Sequence, residues 1–273
     1  MTTHSPQRIR LASLPGLVPL ALLLGVWQLI GSPDSPFFPA PSSWWPALFT
    51  RGQGDAIVPA IIDTIVTFGL GLSIAMILGV ALGLGIGASR LVGRAVGPTF
   101  EFARAVPPAA MVPVATLLLG FDETMKVVVV VLAAVWPVLL NTISAVQELH
   151  PTLLDTARSL RLSRRRTLSQ VLLPSVMPAI VLGVRVATPV ALVITLLVEY
   201  LTAVNGVGAL VGEAQRTFQP ARVYALIVIA GMLSLVVNAI VRSVDDRVMR
   251  RRIGERSPRT RTRVPRPTRR LIR

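Results

Sequence analysis

Six stretches of this chain are apolar for long enough, or nearly long enough, to cross a bilayer, and that constrains its fold more than any other feature. The hydrocarbon core takes about 20 mostly apolar residues in helical form. Backbone polar groups inside it must pair within their own segment. The stretches fall near residues 14–30, 61–86, 99–119, 127–146, 171–201 and 223–241. With 52% hydrophobic and only 15% charged residues among 273, and a mean hydropathy of +0.66, the chain has too few charges to cover a soluble surface. The expected fold class is an all-α integral membrane protein of about six transmembrane helices. Arg8 and Arg10 precede the first stretch, as they would in a signal peptide. No convincing small-x-small cleavage site follows, and Trp27 suits an interfacial anchor, so a retained helix is expected.

Cations give the orientation. With the N-terminus inside, the cytoplasmic segments hold Arg8, Arg10, Arg90, Arg94 and the five arginines between Arg158 and Arg166. The outer segments hold Arg51, Lys126, Arg216 and Arg222. Nine against four places both termini in the cytoplasm. The chain divides into a cytoplasmic N-terminus, 1–13, a transmembrane region, 14–246, with a long inner loop at 147–170, and an Arg-rich tail, 247–273. That tail is expected to be disordered and to hold loosely to anionic lipid. No aromatic residue interleaves its arginines, which argues against nucleic acid as its partner.

Several chemistries are excluded. There is no cysteine, hence no thiolate nucleophile or zinc–thiolate site. His4 and His150 lie far apart, so no histidine metal site is expected. The one lysine, Lys126, stands outside any Gly-x-x-x-x-Gly-Lys-Ser/Thr pattern, so the chain has no ordinary nucleotide-hydrolysis site. No catalytic constellation appears, and no cofactor is expected in this chain.

Polar residues within the apolar stretches are pathway candidates: Glu101, Arg104, Asn141, Arg185 and Glu199, with Pro107 and Pro108 as bending points. Arg185 lies mid-segment with no carboxylate one turn away. It reads as a cation facing a path for an anionic solute, as a structural partner of Glu199 or Glu101, or as a snorkelling arginine. Gly79, Gly83 and Gly87 recur every fourth residue, which suits close helix approach and equally the ordinary glycine enrichment of membrane helices.

The inner loop carries the most information. Pro151 suits the first turn of a helix. Leu153, Leu154, Ala157 and Leu160 then share a stripe, and Arg158 and Arg161 stand at the far end. Such a helix can lie on the membrane, cap its own bundle or dock into a partner's groove.

Its spacing resembles the cytoplasmic "EAA" loop of ABC-importer permeases: Glu-Ala-Ala, three residues, Gly, nine residues, then Ile-x-Leu-Pro. Asp155, Thr156 and Ala157 take the first three places, Arg161 the glycine place, and Val171, Leu173 and Pro174 the last. Arginine for glycine is the large departure: a left-handed turn there must carry strain or be built otherwise. The stretch 37–42, Phe-Phe-Pro-Ala-Pro-Ser, the stretch 104–109, Arg-Ala-Val-Pro-Pro-Ala, and the turn 205–208, Asn-Gly-Val-Gly, are similar to features of the nitrate, sulfonate, taurine and bicarbonate permeases.

The resemblance implies a type I (MetI-like) permease bundle in the inner membrane of a prokaryote, a permease that hydrolyses nothing and pairs with a second copy. Its partners would be two copies of an ATPase subunit, which bind the ATP and Mg, and a periplasmic or lipoprotein solute-binding protein. Leu153, Leu154, Asp155, Thr156, Ala157, Arg158, Leu160, Arg161 and Pro174 would couple it to the ATPase, with Asp155 placed for a donor on that subunit and Pro174 locking a rigid helix to the fifth segment. The solute would be small and anionic. Two other classes compete. A gradient-driven secondary transporter wants repeat symmetry and buried carboxylates, and an intramembrane enzyme wants a catalytic motif; neither is evident.

Overall fold

A computed structural model of the chain describes residues 14–33, 35–49 and 54–255. Eleven helices follow one another among these residues. Helix α1 is Leu14–Ile30 and α2 is Trp44–Leu48, just after a 3-10 turn at Pro41–Ser43. Helix α3 is Ile57–Gly87, α4 Arg90–Ala105, α5 Val112–Leu119 and α6 Glu123–Gln147. Helix α7 is Pro151–Ser159, α8 Arg164–Arg166, α9 Leu173–Thr202, α10 Val207–Arg216 and α11 Pro220–Glu255. Arg8, Arg10, Arg51 and the tail beyond Glu255 lie outside the described residues.

Among the described residues four helices are long and apolar enough to cross a membrane: α3, α6, α11, and α9 with the turns that lead into it. The pair α4 and α5 adds a broken span bent by 83°, and Val18–Ile30 of α1 is a shorter apolar helix. The third span thus begins earlier than its hydropathy suggests, at Arg90 rather than near residue 99. Polar residues on α4 hide its first turns from an apolar window. The break follows from Pro107 and Pro108. Each forces the residue before it into extended backbone, seen in the ψ of 120° at Val106 and 126° at Pro107. Pro113 does not break the chain; it sits in the first turn of α5, where no N–H is needed.

Helix α6 is the centre, between α3 and α9, with Met125, Val129, Val130, Ala134 and Val138 fully buried. The four-residue glycine spacing makes this possible. A Cβ on Gly79 would meet Val138 at 2.8 Å, one on Gly83 Thr142 at 2.6 Å and one on Gly87 Val146 at 2.8 Å. Each partner lies 59 residues beyond its glycine, so α3 and α6 run parallel in fixed register. Two parallel neighbours need a return crossing between them, which the α4–α5 pair supplies. On the other side, a Cβ at Gly183 of α9 would lie 2.9 Å from Val138 Cα.

An aromatic box fastens α1 to the bundle. Trp27 stacks on Phe38 at 4.7 Å and meets Trp44 and Tyr224 edge-on. Trp44 donates to the Pro39 carbonyl and Tyr224 to the Phe37 carbonyl. The aromatic–proline stretch after α1 is therefore a joint between α1, α2 and α11. Elsewhere α1 presents Leu20, Leu22, Leu23 and Leu29 outward, as a lipid-facing helix does.

Candidate functional site

The loop helix stands where the spacing places it, but its apolar residues divide between two faces. Pro151 opens α7, and His150 caps it by accepting from Thr152 N–H. Ala157 is buried and Leu154 half-buried against the bundle. Leu153 and Leu160 point outward, 41% and 67% exposed. Asp155, Thr156 and Arg158 are exposed as well. Asp155 accepts from Arg158 at 3.0 Å one turn away, and Thr156 bonds back to the Thr152 carbonyl. The helix is capped and anchored on one side and leaves two leucines without a partner on the other.

Arg161 settles how the glycine place is built. Its φ is +49°, in the left-handed region that glycine fills without cost. Arg161 N–H bonds the Arg158 carbonyl and Leu162 N–H reaches back to Ala157, the two bonds of a Schellman C-cap. The turn is thus made in the glycine geometry with an arginine, at a steric cost of about 1–2 kcal/mol.

The join to α9, where Pro174 stands, is not a regular α-helix. Between α8 and α9 the helix widens into one π turn, Thr167–Leu172, with Leu173 N–H bonded to the Leu168 carbonyl five residues back. Pro174 supplies the cause. It has no N–H for the Gln170 carbonyl, and its ring would crowd that oxygen in a regular α-turn. Wide turns of this kind occur mostly where helices serve function.

The intramembrane candidates separate. Glu199, near the C-terminal end of α9, is fully buried. It accepts from Thr64 Oγ1 at 2.9 Å and from Gly208 N–H at 3.0 Å, at the first turn of α10. Thr64 in turn accepts from Val207 N–H. Gly206 has φ +127°, and a Cβ there would fall on the Glu199 carboxyl. Beside it the fully buried Lys126 pairs with Glu123 at 2.7 Å and donates to the Asn205 carbonyl, while Thr67 donates to Glu123. These bonds tie together the N-terminal ends of α3, α6 and α10 and the C-terminal end of α9. Thr64, Thr67, Glu123 and Lys126 escape sequence reasoning because each stands at the edge of an apolar stretch. The glycine pair at 206 and 208 was the available signal, since such turns mark close backbone approach.

Asn141 bonds the Pro137 carbonyl of its own helix at 2.7 Å. Glu101 and Arg104 pair on α4 through Arg104 Nε at 2.9 Å, with both side chains exposed. Arg185 is exposed on the outer face of α9, beside Leu182 and Val186, and bonds no described residue. Pro107 and Pro108 form the break above Arg104. The candidates therefore do not converge on one centre within a single chain.

From residue 75 to residue 251 the chain matches the family described as the binding-protein-dependent transport system inner membrane component. The chain belongs to this family. It is 30% identical over 245 residues to the nitrate import permease protein NrtB of Leptolyngbya laminosa, covering 87% of this chain and 88% of that one. It is 26% identical over 256 residues to the putative aliphatic sulfonates transport permease protein SsuC of Bacillus subtilis (strain 168), covering 90% of each. It is 26% identical over 249 residues to the bicarbonate transport system permease protein CmpB of Synechococcus elongatus, covering 86% and 90%. A solved chain of the MetNI methionine ABC transporter, captured in inward-facing conformations, superposes with a TM-score of 0.57 at 15% identity, over 72% of this chain and 99% of that one. The fold of this inner membrane component is therefore the MetI-like bundle. The family makes it a multi-pass transport subunit of an ABC system in a prokaryotic inner membrane, a class that works with an ATPase and a solute-binding protein.

Proposed function

We propose that this permease forms the path for a small anionic solute of the nitrate, sulfonate or taurine kind, and that a separate ATPase powers it through α7. The observation that carries the reading is the division of α7. Ala157 and Leu154 fix it to the bundle, while Leu153 and Leu160 stand exposed around Asp155 and Arg158. A helix that only capped its own bundle would turn its leucines inward. ATP and Mg belong to the partner in this reading, and both termini of the permease lie on the cytoplasmic side with α7. A gradient-driven carrier has no use for such a lever.

Arg185 supports pairing with a second copy. A bare guanidinium in mid-span against lipid costs at least about 2.5 kcal/mol. A second copy across a water-filled path removes that cost and leaves Arg185 to attract an anion. The bend at Pro107 and Pro108 and the π turn before α9 are then the places where the bundle flexes.

The test is co-purification with an ABC ATPase subunit co-expressed from the same source. Leu153→Arg and Leu160→Glu should abolish the association while membrane insertion and thermal stability persist. Undiminished association in both variants would remove α7 as the docking element.

A further inference from the structure

Helix α4 carries charge on one stripe only. At 3.6 residues per turn, Arg90, Arg94, Glu101 and Arg104 fall within an arc of roughly 80°, over a rise of about 21 Å. Leu91 and Phe102 stand on the other side, 79% and 76% exposed. That apolar side suits lipid; the charged stripe does not, since ionised side chains at this depth are tolerated only beside water or protein.

The stripe faces a cleft between α4 and α6. Its inner part, about 470 Å³, is lined by Arg90, Arg94 and Glu101 of α4, by Ser144 and Gln147 of α6 and by Glu148 just beyond it. Its outer part, about 670 Å³, adjoins at Glu101 and holds Arg104 beneath the break at Pro108, against the apolar wall of Leu132 and Trp136. Arg104 neutralises Glu101 through their ion pair. Of the remaining lining charges, Arg90 and Arg94 outnumber Glu148, so the cleft is cationic toward the cytoplasm. A charged lining between low-dielectric walls focuses its field along the cleft.

We propose that this cleft is a binding lane for a small oxyanion, with Arg90 and Arg94 as its inner ligands and Arg104 as the next cation along. It rests on the reading of this chain as an anion importer and adds where, within one copy, the solute is held on its way to the cytoplasm. The same chemistry would take the phosphate of an anionic lipid, and the test separates the two.

The chain has no cysteine, so Ser144→Cys places a single thiol in the inner part of the cleft. Its modification by an anionic, sulfonate-bearing methanethiosulfonate and by a cationic, trimethylammonium one is followed on the full chain in phosphatidylcholine nanodiscs. The rate ratio is normalised to that of a small thiol in solution. The anionic reagent should be favoured about ten-fold, as field focusing in a charged cleft allows. Arg90→Gln with Arg94→Gln should abolish the preference, and Arg90→Lys with Arg94→Lys should retain it. Millimolar nitrate or methanesulfonate should slow the anionic reagent in the original background only. A ratio indifferent to both arginines overturns the proposal. Protection that appears only when phosphatidylglycerol is present assigns the cleft to lipid phosphate and overturns the solute assignment. ATPase association of the same variants is scored separately: its persistence with charge preference lost on the wild-type background condemns the cleft alone, whereas its absence in the unsubstituted chain condemns the importer reading.

Discussion

The two ends of this bundle use polar groups in opposite ways. At one end, the buried Thr64 and Glu199 bond each other and the backbone N–H groups of Val207 and Gly208, and the buried Lys126 bonds the Asn205 carbonyl and Glu123, whose side chain is 53% exposed. At the other end, α7 shows leucines and an exposed ion pair, sits on a left-handed arginine and reaches α9 through a π turn. Buried charges are tolerable only when paired and bonded, and breaking such a set is costly. Exposed ion pairs contribute little, and lone exposed leucines want a cover. The first end is a clamp tying four helices together; the second leaves Leu153 and Leu160 exposed.

Substitutions should expose this contrast in a graded order. Gly206→Ala should do the most harm. It combines backbone strain with displacement of a buried carboxylate that accepts two hydrogen bonds, for a loss of at least about 3 kcal/mol. The measurement is the yield and melting temperature of the monodisperse permease in detergent, and a wild-type melting curve would show that the clamp is not structural. Gly83→Val should follow, at about 1–3 kcal/mol for overpacking α3 on Thr142 of α6. In the opposite direction, Arg161→Gly should stabilise by about 1 kcal/mol by relieving the left-handed arginine, provided glycine's added freedom in the unfolded chain does not cancel it. A rise in melting temperature with ATPase association intact is the expected result; a fall would mean that the arginine side chain contributes more than its backbone costs. The smallest effect belongs to Asp155→Asn, within about 0.5 kcal/mol on stability, because its pair with Arg158 is exposed. If ATPase association falls sharply in that variant while stability holds, Asp155 acts across the interface.

Much of this was legible in the residues. Apolar length marked the spans, the glycine spacing allowed a close helix contact that the structure places between α3 and α6, and the interval from Asp155 to Pro174 marked a loop helix leading into α9. What escaped depends on three-dimensional context. Hydropathy averages along the chain, so it missed the first half of α4, whose charges share one stripe and whose other side is apolar. Glu199 reads as a pathway residue because sequence cannot show Thr64 and Gly208 closing over it. The slipped hydrogen-bond ladder before Pro174 appears only when the helix on both sides is seen. The leucines of α7 share one stripe in projection, and only the packed bundle shows which two it covers.

The central claim is that this chain forms the path and borrows its power. Its most direct test is solute uptake into sealed vesicles holding the purified permease, with and without its ATPase and binding protein. Uptake above leak should require ATP, the ATPase and an intact Leu153 and Leu160 surface. Concentrative uptake by the permease alone under an ion gradient would contradict the account.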